Sequence, residues 1–271
     1  MRLRSVVLLF GVTAVAVPFV HAVSIIHDYT FSDSLIDSLG GPALVATPDD
    51  GNNVGSVGAG FFSFGQGQGL LLSGGLPNAG AYTVALRFAF TDVSGYRRII
   101  DFQDDEFDQG LYELNSGIDF FPVQNAGVLF SSNTYATVVA TRTAAGVFTA
   151  YVNGVQEPTF TDSGNLAVFT DGSDAGSAGD PVLSNPIQFF RDDEACCRLG
   201  EASAGAVTQV EIFDDALTAG QAAASTLLRN RHPQFRNPLR SCCWARACSV
   251  WAASSASSRV SLVSGLALPL R

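Results

Sequence analysis

Alternating apolar and polar residues dominate the middle of the chain. The longest such run is Tyr82–Phe90, where every second residue from Tyr82 is aromatic or aliphatic and would lie on one face of a β-strand. The dipeptide Asn153–Gly154 supplies the positive φ angles that a tight hairpin needs. Comparable runs predict further strands at Arg97–Phe102, Gly110–Leu114, Gly117–Phe121, Ala136–Arg142, Val147–Val152, Pro186–Arg191 and Ala206–Phe213.

This pattern predicts an all-β protein with two packed sheets rather than a series of βαβ units. Turn-forming residues separate the predicted strands at short intervals, which is typical of antiparallel sandwiches. Helical periodicity is confined to Thr218–Leu228, where one short helix is predicted. We expect Gly55–Gly75, which contains eight Gly, to form a loop.

The first 22 residues have the organisation of a secretory signal peptide. Met1–Arg4 is basic, Ser5–Val20 is an apolar run of 16 residues, and Val20–Ala22 has the small residues of a cleavage site. We therefore expect residues 1–22 to be a signal peptide and residues 23–228 to form one exported domain. No second apolar segment is long enough for a membrane span in the frame as written.

The C-terminal part of the chain has a different composition. All 25 acidic residues lie at or before Asp215, whereas Ala216–Arg271 has seven Arg, both Trp and three of the five Cys. Such an abrupt change is unusual within one folded domain. Residues 229–271 are therefore expected to be a disordered tail.

A shifted codon frame in Gln234–Ser254 offers an explanation for this tail. In this shifted frame, each codon consists of the third base of one original codon and the first two bases of the next. Cys242–Cys243 then encodes Leu, and Trp244–Ala245 encodes Gly. With GC-rich codons, which the absence of Lys beside 15 Arg supports, the run translates as VPEPASLLLLGAGLLGLGGI. This resembles the PEP-CTERM sorting signal that exosortases process. The resemblance implies an exported protein, extracellular or at the cell surface of a Gram-negative-type bacterium.

The charge of the predicted domain limits its partners. Between Val23 and Asp215 there are 6 Arg against 25 acidic residues, a net charge of −19. Such a surface repels nucleic acids and anionic lipids and attracts divalent cations. Nucleic acid is therefore excluded as a partner.

Four runs of sequence, in order, carry a resemblance to a domain family. They are FSDSLIDSLGG, YRRIIDF with GLYELNSGIDFFP, FTAYVNGVQ, and FFRDD leading to VEIFDDALTAGQ. The first is similar to an opening strand and the last to a closing strand followed by a short helix. Together they resemble laminin G-like, concanavalin A-like jelly-roll domains. The resemblance implies a two-sheet antiparallel sandwich that binds an extracellular polysaccharide or a surface protein, in the extracellular matrix or on the cell.

The acidic residues do not form the catalytic pattern of related glucanases, which have three carboxylates at alternate positions of one strand. The nearest match, Asp104-x-Glu106-x-Asp108, lies in a turn-rich link. Glu113 and Glu211 lie in predicted strands, but neither has a second acid two residues away. We expect a non-catalytic module and assign no catalytic residue. A concanavalin A-type glycoside hydrolase or lyase, and a structural matrix component without a discrete ligand, remain alternatives.

Calcium is the one cofactor that the sequence suggests. Loop carboxylates suit Ca²⁺, and laminin G-like domains often bind one at the rim of the sandwich. Asp108, Asp192 and Asp193 are the predicted ligands, with the alternative that Asp192 and Asp193 only accept backbone N–H bonds at a strand end. Tyrosines that could stack on a sugar are Tyr96, Tyr112, Tyr135 and Tyr151, although the sequence does not assign the ligand site.

Overall fold

The computed structural model describes residues 22–127, 129–172, 182–192 and 200–229. The predicted signal peptide up to residue 21, the tail from residue 230 and Asp193 lie outside the described residues. The strands are β1 (Ile25–Tyr29), β2 (Val45–Thr47), β3 (Ser56–Gly58), β4 (Phe61–Phe64), β5 (Gly69–Leu72), β6 (Tyr82–Phe90), β7 (Tyr96–Asp101), β8 (Gly110–Leu114), β9 (Gly117–Phe121), β10 (Gln124–Ala126), β11 (Ala136–Arg142), β12 (Val147–Val152), β13 (Val155–Thr161), β14 (Ile187–Phe189) and β15 (Gly205–Phe213). Helix α1 (Ala219–Arg229) follows β15.

The strands form two antiparallel sheets. The eight-stranded sheet has the order β13-β12-β11-β6-β15-β4-β3, and β1 also pairs with β15. The seven-stranded sheet has the order β10-β9-β8-β7-β14-β5-β2. Neighbours in each sheet are often distant in sequence, as in a jelly-roll sandwich. The predicted fold class is confirmed.

The core between the sheets is rich in phenylalanine. Phe64 stacks on Phe190 with ring centroids 4.5 Å apart, and Phe120 packs edge-on against Phe148 at 4.8 Å. Each pair joins a residue of one sheet to a residue of, or next to, the other. Aromatic pairs of this kind contribute about 0.5–1.5 kcal/mol each beyond the burial of their surface.

Helix α1 covers part of the outer face of the eight-stranded sheet. Leu217 and Ala222 pack against Ala85, Val139 and Tyr151 of that sheet. This explains why the second face of β6 is also largely buried. A capping box formed by Thr218 and Gln221 starts the helix. Among the described residues, no helix is long and apolar enough to cross a membrane.

Two predictions about local structure were wrong. The glycine-rich stretch 55–75 contains β3, β4 and β5 rather than one loop. Glycine is needed there for close packing, because a Cβ on Gly69 would lie 2.2 Å from the carbonyl oxygen of Phe189 in β14.

The opening strand is β1, and not the run from Phe31 to Gly41. That run forms turns because the Asp37 carboxylate accepts hydrogen bonds from the backbone N–H groups of Asp28, Leu39 and Gly41. The same carboxylate contacts the His27 ring, so this turn is tied to β1.

Candidate functional site

The outer face of β7, β8 and β9 carries an unusual set of polar and aromatic side chains. Leu111, Ile118 and Phe120 point into the core, so their neighbours along the strands point outward. Arg98 lies opposite Tyr112, and Tyr112 lies opposite Asp119. We call this surface the β7–β9 face, defined by Tyr96, Arg98, Asp101, Tyr112, Asp119 and Phe121.

Arg98 is fully buried at the centre of this face. Its guanidinium pairs with Asp101 and, at 3.4 Å, with Asp192. It also lies 4.5 Å from the centroid of the Tyr112 ring. Gly110 leaves room for it, since a Cβ there would lie 2.8 Å from Nη1 of Arg98. Several carboxylates compensate the buried positive charge, because burying an unpaired charge is costly.

Carboxylates fix the conformation of the segment between β7 and β8. Oδ1 of Asp101 accepts the backbone N–H groups of Gln103 and Asp105, at 2.8 and 3.0 Å. Asp105 pairs with Arg191. Burial, followed by the nearby Asp101 carboxylate, raises the pKa of Asp105 well above its usual range. The acidic run that begins at Asp104 therefore lies in a fixed link and not on one strand.

The structure brings two of the three predicted calcium ligands to the same guanidinium. Asp108 Oδ1 lies 3.7 Å from Nη2 of Arg98 and accepts the Tyr112 hydroxyl at 3.1 Å. One carboxylate oxygen of Asp192 pairs with Arg98, and the other accepts a hydrogen bond from the N–H of Glu201 at 2.8 Å. Asp193 lies outside the described residues. In the described part of the chain, no three His, Cys, Asp or Glu residues are grouped to hold a metal ion. The calcium site stays a prediction.

Asp119 is the residue on this face that the sequence did not indicate. It is 5% exposed, and its carboxylate accepts no hydrogen bond from any described residue. Desolvation by burial raises its pKa to about 6. Its carboxylate oxygens still reach solvent, so they can accept a hydrogen bond from water or from a ligand.

Aromatic residues lie near Asp119, which is opposite Tyr112 on β8 and close enough to the Tyr96 hydroxyl to raise its pKa. The Tyr96 ring lies edge-on to those of Tyr112 and Phe121, with centroids 5.4 and 5.9 Å away. Burial raises the pKa of Tyr96, and the carboxylates of Asp119, Glu201 and Asp108 raise it further, in that order. Tyr96 is half-buried and the side chain of Asp108 is 35% exposed, so part of this ring and one carboxylate can be reached from solvent.

The other predicted tyrosines have different surroundings. Tyr112 is fully buried under Arg98, and Tyr151 is covered by the contacts of α1. Tyr135 is 38% exposed and lies 5.1 Å from the guanidinium of Arg87, a residue of the eight-stranded sheet. Tyr96 and Tyr135 therefore mark two separate aromatic surfaces.

The two glutamates in strands do not share a cleft. Glu113 is fully buried on β8, where one oxygen accepts the N–H of Ser116 and the other has no partner. Burial raises its pKa to about 7. Glu211 lies on the other sheet.

Sequence reasoning missed one carboxylate pair. Glu211 lies opposite Asp28 of β1, and both accept the amide N–H₂ of Gln209, at 2.7 and 3.2 Å. The pairing of β1 with β15 was not predicted, so no local pattern could have found it. The amide of Gln209 therefore bridges the two carboxylates on the eight-stranded sheet.

No protein-family model matches the chain, and no curated protein matches it in sequence. Solved structures do match. Domain 4 of a GH43 extracellular arabinanase from Geobacillus stearothermophilus, in complex with arabinotriose, is 14% identical with a TM-score of 0.53, over 75% of this chain and 98% of that domain. The chain is a β-sandwich of the same type.

Two further matches cover smaller parts of longer proteins. A Trypanosoma rangeli sialidase, in complex with 2,3-difluorosialic acid, is 15% identical with a TM-score of 0.53, over 76% of this chain and 33% of that one. The binding domain of botulinum neurotoxin DC, in complex with rat synaptotagmin II, is 13% identical with a TM-score of 0.51, over 76% and 52%. At these identities the likeness shows the fold alone.

Proposed function

We propose that the chain is an exported, non-catalytic binding module that holds an extracellular glycan on the β7–β9 face. The observation that carries the proposal is the Asp119 side chain, which is 5% exposed, accepts no hydrogen bond from a described residue and lies opposite Tyr112. Its carboxylate oxygens reach solvent, so they are open to a ligand. A ligand that donates a hydrogen bond to Asp119 would replace the water there.

The chemistry of this face suits a sugar. A sugar ring has apolar C–H faces, which pack on aromatic side chains, and hydroxyl groups, which donate to carboxylates. Phe107, 44% exposed, precedes Asp108 in the link between β7 and β8, and its carbonyl oxygen accepts a hydrogen bond from Arg98. Rings and carboxylates are thus combined in a small area, as in other small-molecule sites.

The matched structures support a binding role without assigning one. The arabinanase domain was solved with arabinotriose and the neurotoxin domain with a protein. Domains that contain this type of sandwich therefore occur with a glycan and with a protein ligand, although only 52% of the neurotoxin domain is matched. The aromatic rings and carboxylates favour the glycan over a surface protein for this chain.

Export and calcium are parts of the proposal that rest on the sequence. The signal peptide at residues 1–22 and the shifted sorting signal would place the module outside the cell, in the matrix or at the surface. Calcium at Asp108 and Asp192 would have to compete with Arg98 for their oxygens. If it binds, millimolar Ca²⁺ should raise the melting temperature of the chain relative to a chelator, by mass action.

A glycan array probed with the purified chain and four variants tests the site. Tyr96→Ala and Asp119→Asn should lower binding at least about tenfold, because each removes part of the β7–β9 face. Tyr135→Ala is the matched control on the other sheet, and Asp33→Asn is the control for charge at an exposed position. Both should bind within about twofold of the wild type.

Two results would contradict the proposal. Loss of binding in Tyr135→Ala but not in Tyr96→Ala would move the site to the eight-stranded sheet. No binding to any glycan, together with capture of a surface protein, would replace the glycan by a protein partner.

A further inference from the structure

Negative charge is in excess around the β7–β9 face. Arg98 and Arg191 supply positive charge there, in contact with Asp101, Asp105 and Asp192, and Arg97 beside Tyr96 is paired with Asp92. Three more carboxylates lie close by, those of Asp108, Asp119 and Glu201. Among the described residues, carboxylates therefore outnumber guanidinium groups around this face. The domain as a whole has the same sign, with a net charge of −19 from Val23 to Asp215.

The excess is concentrated where the rings can be reached. Asp108, Asp119 and Glu201 all lie close enough to the Tyr96 hydroxyl to raise its pKa. The side chain of Asp108 is 35% exposed, and Tyr96 is half-buried. Asp119 is nine-tenths buried or more, and it forms no ion pair with a described residue. A ligand placed against Tyr96 would meet a strongly negative potential.

The surroundings distinguish an organic cation from a metal ion. Ca²⁺ takes about six to eight oxygen ligands. Around Asp119, as elsewhere in the described part of the chain, no three His, Cys, Asp or Glu side chains are grouped to hold a metal ion. An ammonium group attached to carbon is different, because it is attracted both by carboxylates and by the faces of aromatic rings.

We infer that the glycan held on the β7–β9 face carries protonated amino groups, as in polymers of 2-amino sugars without N-acetyl groups. The ammonium group lies beside the Asp119 carboxylate, and the sugar ring packs on Tyr96. This inference rests on the proposed function and adds the chemical class of the ligand. It also gives the unpartnered carboxylate its partner, since the ammonium group donates hydrogen bonds to it.

Three β-1,4-linked oligosaccharides of equal length provide the test. They are a glucosamine oligomer, its N-acetylated counterpart and a glucose oligomer, titrated into the full chain by calorimetry near neutral pH. The glucosamine oligomer should bind at least about tenfold more tightly than the other two. Added salt should weaken its binding more than theirs, because only its binding depends on an ion pair.

Variants show whether the preference arises at this face. Asp119→Asn keeps the shape of the side chain and removes its charge, so the preference for the amine should fall to within about twofold of parity. Asp33→Asn removes a charge from an exposed position and should leave the preference intact. Near-ultraviolet circular dichroism of each variant shows that the fold is retained.

The outcomes separate the two claims. Equal affinity for the three oligosaccharides would overturn the inference and leave the glycan-binding proposal standing. Binding that depends on millimolar Ca²⁺ and is abolished by a chelator would also overturn it, in favour of a metal-bridged ligand. Failure to bind these or any sugars of a glycan array would contradict both.

Discussion

At the scale of single residues, two carboxylates in adjacent strands are held at a cost to stability. Glu113 on β8 and Asp119 on β9 are buried, on opposite faces of the sheet, and burial raises the pKa of both. The folded state therefore binds their protons more tightly than the unfolded state does. Protonation of these groups contributes its full stability when the pH is below their pKa in the unfolded state. This contribution is lost as the pH rises through their pKa in the folded state. These values are about 7 for Glu113 and about 6 for Asp119.

We predict that Glu113→Gln stabilises the protein at pH 8 by about 1–3 kcal/mol, because the amide has no charge to bury and still accepts the Ser116 N–H. Below the unfolded pKa the wild type should approach the variant, since Glu113 is then protonated in both states. Chemical denaturation across this pH range measures the difference. Glu157→Gln, at a half-buried position on β13, is the control. A variant that is less stable than the wild type at pH 8 would show that the charge of Glu113 is structural.

At the scale of strands, local pattern was sufficient where each strand could be recognised alone. Five strands have the predicted bounds, because runs of apolar residues between turn signals mark them. They are β6, β8, β9, β11 and β12. β4 and β5 were not predicted, because the glycines in and around them indicated a loop. In the structure, such a glycine allows close packing against the neighbouring strand. That packing involves residues far away in the sequence and leaves no local signal.

The candidate site was only partly predictable for the same reason. The runs containing Arg98 and Asp119 were predicted as strands, and Asp108 and Asp192 were predicted as calcium ligands. No local pattern indicates that Arg98 meets Asp192, 94 positions further on. Nor does the alternation of β9 show that Asp119 is buried, because its exposed fraction depends on side chains of neighbouring strands such as Tyr112.

We predict that Gly110→Ala destabilises the β7–β8 pairing by about 1–3 kcal/mol, as overpacking does. The added Cβ would lie 2.8 Å from Nη1 of Arg98 and 3.0 Å from the carbonyl oxygen of Ile100. Gly58→Ala in β3 is the matched control, because nothing lies within 4 Å of the added atom. Its stability should change by less than about 0.5 kcal/mol in denaturant unfolding. Equal effects of the two substitutions would mean that Arg98 is not tightly held.

At the scale of the whole molecule, a sandwich scaffold carries an acidic aromatic surface on one sheet and a helix on the other. The scaffold is shared with an arabinanase domain at 14% identity, so it leaves function open. In this chain, Arg98 and Arg142 are paired with carboxylates in the interior, and three carboxylates lie near the Tyr96 hydroxyl. Unpaired buried charge lowers stability, and proteins retain such groups where function requires them.

The most direct test of the account is to measure the thermal unfolding and the glycan-array binding of Asp119→Asn in parallel with the wild type. The account predicts that the variant melts a few degrees higher at neutral pH, since it no longer buries an unpartnered charge. It also predicts that the same variant loses at least about nine-tenths of the glycan binding. A variant that melts lower would assign Asp119 a structural role. A variant that binds glycans as the wild type does would contradict the claim that the β7–β9 face is the binding site.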